Sequence, residues 1–146
     1  MKIGILNGPN LNLLGTREPA IYGTTTLEQI IARCAEVGAE LGIEVVAMQA
    51  NGEGQLIDQL HAWRGSVAGV VVNAGAYTHT SLALRDAFAA TSLPYVEVHV
   101  SNIYAREPER HRSLLAGGAI GLVCGLGPLG YELALRGLVE TLRARR

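Results

Sequence analysis

A carboxylate and an imidazole, Glu97 and His99, stand two positions apart in this sequence. The run Tyr95–Val98 is apolar and β-branched, as in a buried strand, and side chains at i and i+2 of a strand share one face. A buried carboxylate needs a partner, and accepting a hydrogen bond from one imidazole nitrogen would fix the ring's tautomer and leave the other nitrogen available for proton transfer. The spacing therefore indicates an acid–base pair, and a purely structural pair is the alternative.

A second chemical pattern lies between Gly15 and Gly23, where the sequence carries Arg17 and Tyr22. The connection that contains them, residues 8–26, exceeds the usual ~2–6 residues of a βα loop, and bracketing glycines are typical of a lid. A guanidinium ~4 Å from the phenol contributes about 4 kcal/mol at an effective dielectric of ~20, which would bring a phenol pKa of ~10 towards neutrality. We expect a phenolate base at Tyr22 beside Arg17, with an ordinary surface loop as the alternative.

The elements that must position these groups alternate along the chain. Short β-branched runs, apolar on both faces as in a buried parallel sheet, predict five strands at Ile3–Leu6, Ile43–Ala47, Gly69–Val72, Tyr95–Val98 and Ala119–Val123. Helical spacing predicts helices at Leu27–Leu41, Leu56–Trp63, Ser81–Ala90 and Tyr131–Arg143. A strand–helix alternation repeated five times predicts one α/β domain over residues 1–146. Its expected architecture is a flavodoxin-like, doubly wound, five-stranded parallel sheet in a three-layer α/β/α arrangement.

Amide, imidazole and hydroxyl groups follow three of the predicted strands, in the segments Asn7–Asn12, Asn73–Ser81 and Glu97–Asn102. In this kind of sheet, ligands bind beyond the carboxyl ends of the strands, so these segments predict a pocket at one rim. Three arginines follow the fourth strand, and the planar donor fork of arginine suits a carboxylate; they are Arg106, Arg110 and Arg112. Together with the polar rim, the arginines indicate a small, anionic, hydroxylated substrate. The alternative is that one or two of them are solvated residues on a helix face.

Composition excludes several functions. The formal charge is 12 − 13 = −1, which disfavours nucleic acid or an anionic membrane as a partner. Lys2 is the only lysine beside eleven arginines, so imine chemistry has no suitable residue. Cys34 and Cys124 are expected to be reduced core residues of a cytoplasmic protein. No third ligand at metal-binding spacing accompanies Glu97 and His99, so we expect no metal site. No apolar run is long enough to span a bilayer.

Taken together, these residues resemble the type II 3-dehydroquinate dehydratases. The matching pieces occur in order across nearly the whole chain, and they are Asn7–Asn12, Gly15–Gly23, Gln49–Gly54, Asn73–Ser81, Glu97–Asn102, Arg106–Glu107 and Gly130–Leu135. The resemblance implies anti elimination of water from 3-dehydroquinate, through an enolate and without a cofactor, to give 3-dehydroshikimate. It also implies a cytoplasmic homododecamer, a tetramer of trimers, that serves the shikimate pathway of aromatic amino acid biosynthesis or quinate breakdown.

The resemblance also implies roles for individual residues. Tyr22 would remove the C2 proton, with Arg17 favouring its phenolate, and Asn10 would help to hold the water that stabilises the enolate. His99, oriented by Glu97, would protonate the departing C1 hydroxyl. The residues implied to bind the substrate's hydroxyls and carboxylate are Asn73, His79, Val100, Ser101, Arg106 and Arg110. Asp86, on the third predicted helix, would reach the site of a neighbouring subunit.

Other proteins with this strand order fit less well. A flavin-binding flavodoxin would carry a Ser/Thr/Gly-rich phosphate loop after the first strand, where this chain has Pro9 and three asparagines. A phosphorylatable receiver domain needs acidic residues where Asn7 and Asn73 stand. A non-catalytic, oligomeric, flavodoxin-like module that binds a small molecule stays open as the alternative, although it would not need both the Glu97–His99 pair and the Arg17–Tyr22 segment.

Overall fold

The computed structural model describes residues 1–16 and 19–146, and for Ile21 and Tyr22 it describes the backbone alone. The strands are β1 (Lys2–Asn7), β2 (Glu44–Gln49), β3 (Gly69–Asn73), β4 (Tyr95–His99) and β5 (Gly121–Cys124). The helices are α1 (Pro19–Tyr22), α2 (Leu27–Leu41), α3 (Glu53–Trp63), α4 (Tyr77–Thr80), α5 (Leu82–Thr91) and α6 (Leu129–Ala144). Short 3-10 turns span Leu11–Leu13, Ile103–Ala105, Pro108–Arg110 and Ala116–Gly118.

The five strands form one parallel sheet in the order β2-β1-β3-β4-β5. This order confirms the predicted flavodoxin-like, doubly wound arrangement, whose switch point lies between β1 and β3. In the register, Asn7 at the end of β1 lies beside Gln49 at the end of β2 and Asn73 at the end of β3. The polar residues predicted to follow the strands are therefore brought to a single rim.

Two apolar clusters cover the sheet and confirm the three-layer prediction. One packs α2 and α6 against it, for example through Val37 and Leu135 beside Ile5. The other packs α3 and α5 against it, for example through Leu60 and Phe88. The central strands β3 and β4 are buried along their whole length, as their continuous apolar runs predict.

The edge strands depart from the prediction that every strand is buried on both faces. Residues of β2 are exposed or half-buried, and those of β5 are half-buried, because each edge strand has a neighbour on one side only. Cys124 on β5 is accordingly half-buried, so its predicted core position is wrong, whereas Cys34 on α2 is buried as predicted. Both are free thiols.

Helix boundaries follow local signals closely. The bounds of α2 match the prediction because Thr26 and Gln29 form a reciprocal capping box and Gly42 ends the helix at φ 69°. α3 begins three residues earlier than expected, at Glu53, because the Gln55 side chain accepts a hydrogen bond from the Gly52 amide at 3.0 Å.

The crossover from β4 to β5 corrects the predicted alternation. It contains three 3-10 turns instead of an α-helix, namely Ile103–Ala105, Pro108–Arg110 and Ala116–Gly118. Pro108 lacks an amide donor, and glycines at 117 and 118 disfavour helix propagation, so the segment cannot sustain a regular helix. Arg106 and Arg110 consequently sit on tight turns at the rim, where their positions depend on the turn geometry.

Two further observations complete the fold. Lys2 lies at the amino end of β1, the end opposite the rim, with its ammonium 3.8 Å from Glu44. Within the described residues, no helix combines the length and apolar character that crossing a membrane requires.

Candidate active site

A small pocket opens at the carboxyl end of the sheet, between the loops that follow β1, β3 and β4. Its volume is about 140 Å³, well below the ~300–1,000 Å³ of sites for drug-sized ligands, so it suits one small ring molecule and not a flavin or a nucleotide. The lining residues are Pro9, Asn10, Leu11, Asn73, Gly75, Ala76, His79, His99, Val100, Ser101, Ile103, Arg106 and Arg110. The pocket lies where the strand ends predicted it.

Most of the site residues predicted from the sequence meet here. Those that line the pocket are Asn10, Asn73, His79, His99, Val100, Ser101, Arg106 and Arg110. Glu97 lies behind His99, and Asp86 is exposed on α5, outside this pocket. Arg17 and the side chain of Tyr22 lie outside the described residues, so the predicted pairing of these two stays a prediction. The lining residues not singled out as site residues, such as Leu11 and Gly75, fall mostly inside the quoted motif segments.

The carboxylate of Glu97 is fully buried and contacts His99 as predicted. His99 Nε2 lies 2.8 Å from Glu97 Oε2, and only 5% of His99 is exposed. Because Nε2 faces the carboxylate and the ring lines the pocket, Nδ1 is the nitrogen left for a ligand. The other carboxylate oxygen accepts a hydrogen bond from Ser113 Oγ at 2.6 Å, a contact that the sequence pattern did not indicate.

His79 stands beside this pair as a second imidazole. Its ring stacks near that of His99, with centroids 6.5 Å apart. His79 Nδ1 lies 2.8 Å from the carbonyl oxygen of Arg112, and since a carbonyl can only accept, Nδ1 must carry the proton. The remaining nitrogen, Nε2, can therefore accept a hydrogen bond from a hydroxyl group in the pocket.

A buried network fixes the amide of Asn73. Its Oδ1 accepts a hydrogen bond from the Gly75 amide at 3.1 Å, and its Nδ2 donates to the hydroxyl of Tyr131 at 3.0 Å. That hydroxyl in turn donates to Asn7 Oδ1 at 2.8 Å. Burial raises the pKa of the Tyr131 phenol far above its ordinary value, so the hydroxyl stays protonated and the network keeps one orientation.

The loop that carries Asn10 is held by the end of β2. Asn10 has a left-handed backbone, with φ 69°, and its amide donates to Asn51 Oδ1 at 3.0 Å. Gln49 Nε2 donates both to the same oxygen and to the carbonyl of Gly8, each at 3.1 Å. Gly8 also packs on the loop after β3, where a Cβ would lie 2.3 Å from the carbonyl oxygen of Ala74. Asn10 is thus presented to the pocket by contacts from two neighbouring strands.

The arginine-bearing turns place two cations at the pocket. The side chains of Arg106 and Arg110 are 14% and 28% exposed. Glu107 forms a hydrogen-bonded ion pair with Arg110, and its carboxylate lies 3.9 Å from Arg106 Nε. The Arg110 guanidinium holds the pKa of Glu107 below its usual range. His111 Nε2 donates to the carbonyl of Arg106 at 2.6 Å, which ties the two turns together.

Glycines stand on both sides of the segment between β1 and α2 that contains residues 16–22. Gly15 and Gly23 adopt φ 90° and 76°, which favour glycine. A Cβ on Gly15 would lie 2.6 Å from the carbonyl oxygen of Thr24, so the two ends of the segment touch. The glycines that bracket the segment are therefore required by their positive φ angles. That the segment moves as a lid stays a prediction.

In the part of the chain that the structure describes, no three side chains among His, Cys, Asp and Glu converge to hold a metal ion. The chemistry that these residues offer is acid–base and electrostatic. An imidazole backed by a buried carboxylate can transfer a proton, two arginines can bind an anion, and oriented amides can bind hydroxyl or carbonyl groups.

Comparison with known proteins agrees with this geometry. The chain matches the family described as Dehydroquinase class II over residues 1–139. It is 65% identical over 146 residues to a 3-dehydroquinate dehydratase of Gemmatimonas aurantiaca, covering 100% of this chain and 96% of that one. A type II dehydroquinase of Propionibacterium acnes superposes with a TM-score of 0.90 at 44% identity, covering 95% of this chain and 96% of that one. A type II dehydroquinase of Butyrivibrio crossotus superposes with a TM-score of 0.90 at 40% identity, covering 98% of this chain and 97% of that one.

Proposed function

The chain belongs to the class II dehydroquinase family and is a 3-dehydroquinate dehydratase, a hydro-lyase, and we propose that the pocket at the strand ends is where it removes water. The observation that carries this placement is the buried Glu97–His99 pair, which faces a small pocket that two arginines also line. An elimination needs a base, an acid and a site for developing negative charge, and the pocket's residue types can supply the acid and the charge stabilisation.

The first step takes a proton from C2 of the substrate. Tyr22, as a phenolate held beside Arg17, accepts this proton, and the electron pair of the C–H bond moves into an enolate at the neighbouring carbonyl. Asn10 helps to hold the water that donates to the enolate oxygen. The supporting observation is that Asn10 reaches the pocket from a loop held by Asn51, on a fixed left-handed backbone.

The second step expels the hydroxyl on C1. The enolate collapses to re-form the carbonyl, the C1–C2 double bond forms, and the C1–O bond breaks. His99 gives its proton to the departing oxygen, which leaves as water, and the product is 3-dehydroshikimate. Proton exchange with solvent then returns Tyr22 and His99 to their starting states. Glu97 supports this step because a buried carboxylate stabilises the imidazolium that donates the proton.

The remaining pocket residues hold the substrate. Arg110 and Arg106 bind its carboxylate, since both line the pocket and carry planar donor forks. Asn73, His79 and Ser101 bind hydroxyl groups, and the Nε2 of His79 is available as an acceptor. Val100, which is 5% exposed, forms part of the wall beside His99.

Assembly and cellular setting complete the proposal. We propose a homododecamer, a tetramer of trimers, in which Asp86 reaches the pocket of a neighbouring subunit. Asp86 is exposed on α5, and the large apolar side chains that are also exposed include Leu82, Leu126, Leu129 and Leu133. We further propose that residues 1–146 act as one catalytic domain, in the cytoplasm and without a cofactor, in the shikimate pathway or in quinate breakdown. Two free thiols accord with a reducing compartment.

A non-catalytic binding module of the same fold is not favoured. A binding site for a hydroxylated anion would need the arginines and amides. It would not need a fully buried carboxylate that orients one imidazole, and burying a carboxylate is costly in free energy. The family and the names of the relatives point in the same direction.

A direct assay tests the proposed function. Purified protein should convert 3-dehydroquinate to an enone that absorbs in the near ultraviolet, with no added metal or nucleotide. Borohydride added together with substrate should leave the enzyme active, because the single lysine, Lys2, lies at the opposite end of β1 from the pocket. Absence of turnover under these conditions would refute the activity, and inactivation by borohydride would refute the imine-free route.

A further inference from the structure

Residues 112–114 lie between two turns of the β4–β5 crossover. They contact His79, its neighbour Thr78 and the Glu97 carboxylate that holds His99. The carbonyl of Arg112 accepts from His79 Nδ1 at 2.8 Å, and the amide of Leu114 donates to the carbonyl of Thr78 at 2.8 Å. Between them, Ser113 Oγ donates to Glu97 Oε1 at 2.6 Å. We propose that Ser113 is a positioning residue for the dehydration, which acts by holding the Glu97 carboxylate so that His99 presents Nδ1 to the substrate.

The direction of the Ser113 hydrogen bond follows from its other contacts. Ser113 Oγ accepts from the backbone amides of Leu115 at 3.2 Å and Ala116 at 3.0 Å. A hydroxyl group has two acceptor positions and one hydrogen. Since both acceptor positions are occupied by amides, the single hydrogen must point at Glu97 Oε1.

This direction constrains Glu97 in turn. Oε1 cannot carry a proton towards Ser113, because the serine oxygen has no acceptor position left. Oε2 faces His99 Nε2 at 2.8 Å, and when Glu97 is ionised both of its oxygens accept, so the proton of that hydrogen bond is on Nε2. Ser113, Glu97 and His99 thus form a chain of hydrogen bonds, which leaves Nδ1 of His99 facing the pocket.

The Ser113 hydroxyl is a hydrogen-bond partner for a carboxylate that solvent does not reach. Glu97 is fully buried, with 0% exposure, whereas Ser113 is half-buried. Without the hydroxyl, Oε1 would be a buried acceptor with no partner, which is costly enough to favour rotation or protonation of the carboxyl group. Either change would loosen the hold on His99. Ser113 itself does not line the pocket, so it acts through Glu97 and not on the substrate.

Steady-state kinetics of the full-length enzyme test this proposal, which rests on His99 being the proton donor. Ser113→Ala should lower kcat by about 10- to 100-fold, the range expected for a lost hydrogen bond to a charged group, with KM changed less than about twofold. Ser113→Thr keeps the hydroxyl and should restore most of kcat. Ser66→Ala is the control, because its hydroxyl donates to the Trp63 carbonyl near the amino end of β3, away from the rim, and both constants should stay at wild-type values.

Two further measurements separate positioning from general destabilisation. Nitrogen-15 NMR of the imidazoles, recorded on the neutral form of His99, should report the Nε2–H tautomer in the wild type and a mixture in Ser113→Ala. In a Glu97→Gln background, Ser113→Ala should add little further loss, because both changes break the same chain of contacts. Should Ser113→Ala fail to fold, Ser113→Cys keeps a similar volume with a weaker donor, and it should show a kcat loss in the same direction.

The outcomes separate this proposal from the proposed function. Wild-type kcat together with an unchanged His99 tautomer in Ser113→Ala would overturn the role of Ser113, as would fully additive losses in the double variant. If His99→Ala retains full turnover, the assignment of the proton donor fails instead. In that case the tautomer measurement still decides whether Ser113 controls the Glu97–His99 pair.

Discussion

The hydroxyl of Tyr131, on α6, lies 3.0 Å from Nδ2 of Asn73, at the end of β3, and is completely shielded from solvent. Helix α6 thus orients an amide that lines the pocket, from the face of the sheet on which it packs. The same hydroxyl donates to Asn7 on β1, so one phenol connects three elements at the switch point of the sheet.

Tyr131→Phe should therefore affect both folding and substrate binding. Removing the hydroxyl leaves Asn7 Oδ1 and Asn73 Nδ2 without this partner, at an expected cost of about 1–3 kcal/mol in the free energy of unfolding. Because Asn73 loses its orientation, KM should rise. Urea unfolding and steady-state kinetics measure the two effects.

The matched control for this change is Tyr95→Phe. Tyr95 is also buried, and its hydroxyl bonds the Leu115 carbonyl, but it lies at the amino end of β4, away from the pocket. The Tyr95→Phe variant should have a lower free energy of unfolding than the wild type, with no change in KM. An equal rise in KM for both variants would show that the Tyr131 effect is not specific to Asn73.

Tyr22→Phe and His99→Ala should each reduce turnover to background while the fold persists. Each removes a group that transfers a proton in the proposed steps, and His99 is the imidazole that the Glu97 carboxylate holds against the pocket. Product formation measures turnover, and far-ultraviolet circular dichroism confirms folding. Full activity in either folded variant would remove that residue from the mechanism.

The sequence predicted the strands of the sheet well. It predicted poorly the β4–β5 crossover and the residues that hold the pocket side chains in place. The strands and α2 could be predicted because β-branched runs and helical apolar spacing are local signals, and the strand order follows from the doubly wound fold that their alternation indicates. The β4–β5 crossover was predicted wrongly, because strand–helix alternation was extended through a segment that contains Pro108 and two adjacent glycines.

The residues that hold the site were missed for a different reason. Ser113 acts on a carboxylate 16 positions away, and Asn51 acts on an amide 41 positions away. No local pattern marks Ser113, and Asn51 lies in the quoted segment Gln49–Gly54 without an indicated role. Each role exists only once distant parts of the chain are brought together. Glu97 and His99 were found because their contact lies within one strand, where the two-residue spacing itself predicts a shared face.

Asp86→Ala should weaken substrate binding more than it weakens the fold. Asp86 is exposed on α5 and lies outside the pocket of its own chain, so its proposed role depends on a neighbouring subunit. We expect KM to rise while the thermal midpoint stays close to that of the wild type. Glu140→Ala, at an exposed acidic position on α6, is the control. Wild-type kinetic constants in Asp86→Ala would contradict the cross-subunit role.

Acid should weaken the contact between α2 and α6 through Glu132. Arg33 binds both carboxylate oxygens of Glu132 at 3.1 Å, and the Arg33 guanidinium, with Arg136, holds the pKa of Glu132 below its usual range. A lowered pKa in the folded state means that this contact stabilises the protein above the unfolded-state pKa of ~4.3. Its contribution is lost as the pH falls through the folded-state pKa.

Glu132→Gln should consequently lower the thermal midpoint by a few degrees at pH 7, and the difference from the wild type should disappear in strong acid. Thermal unfolding followed across the acid range measures this. Glu140→Gln, on the same helix, should show no such difference at any pH. A Glu132→Gln deficit that persists undiminished in strong acid would exclude the ion pair as its cause.

The hydrogen bond from Tyr131 to Asn7 joins positions 124 residues apart, and the pocket loops are held by similarly distant contacts. The pocket walls and the residues that support them extend from Asn7 to Tyr131, so a fragment that ends before Tyr131 lacks part of the site. The complete site therefore requires pairings between distant parts of the chain, and contacts of high sequence separation form slowly in folding. We therefore expect a nascent chain to acquire the complete site only after Tyr131 has been synthesised.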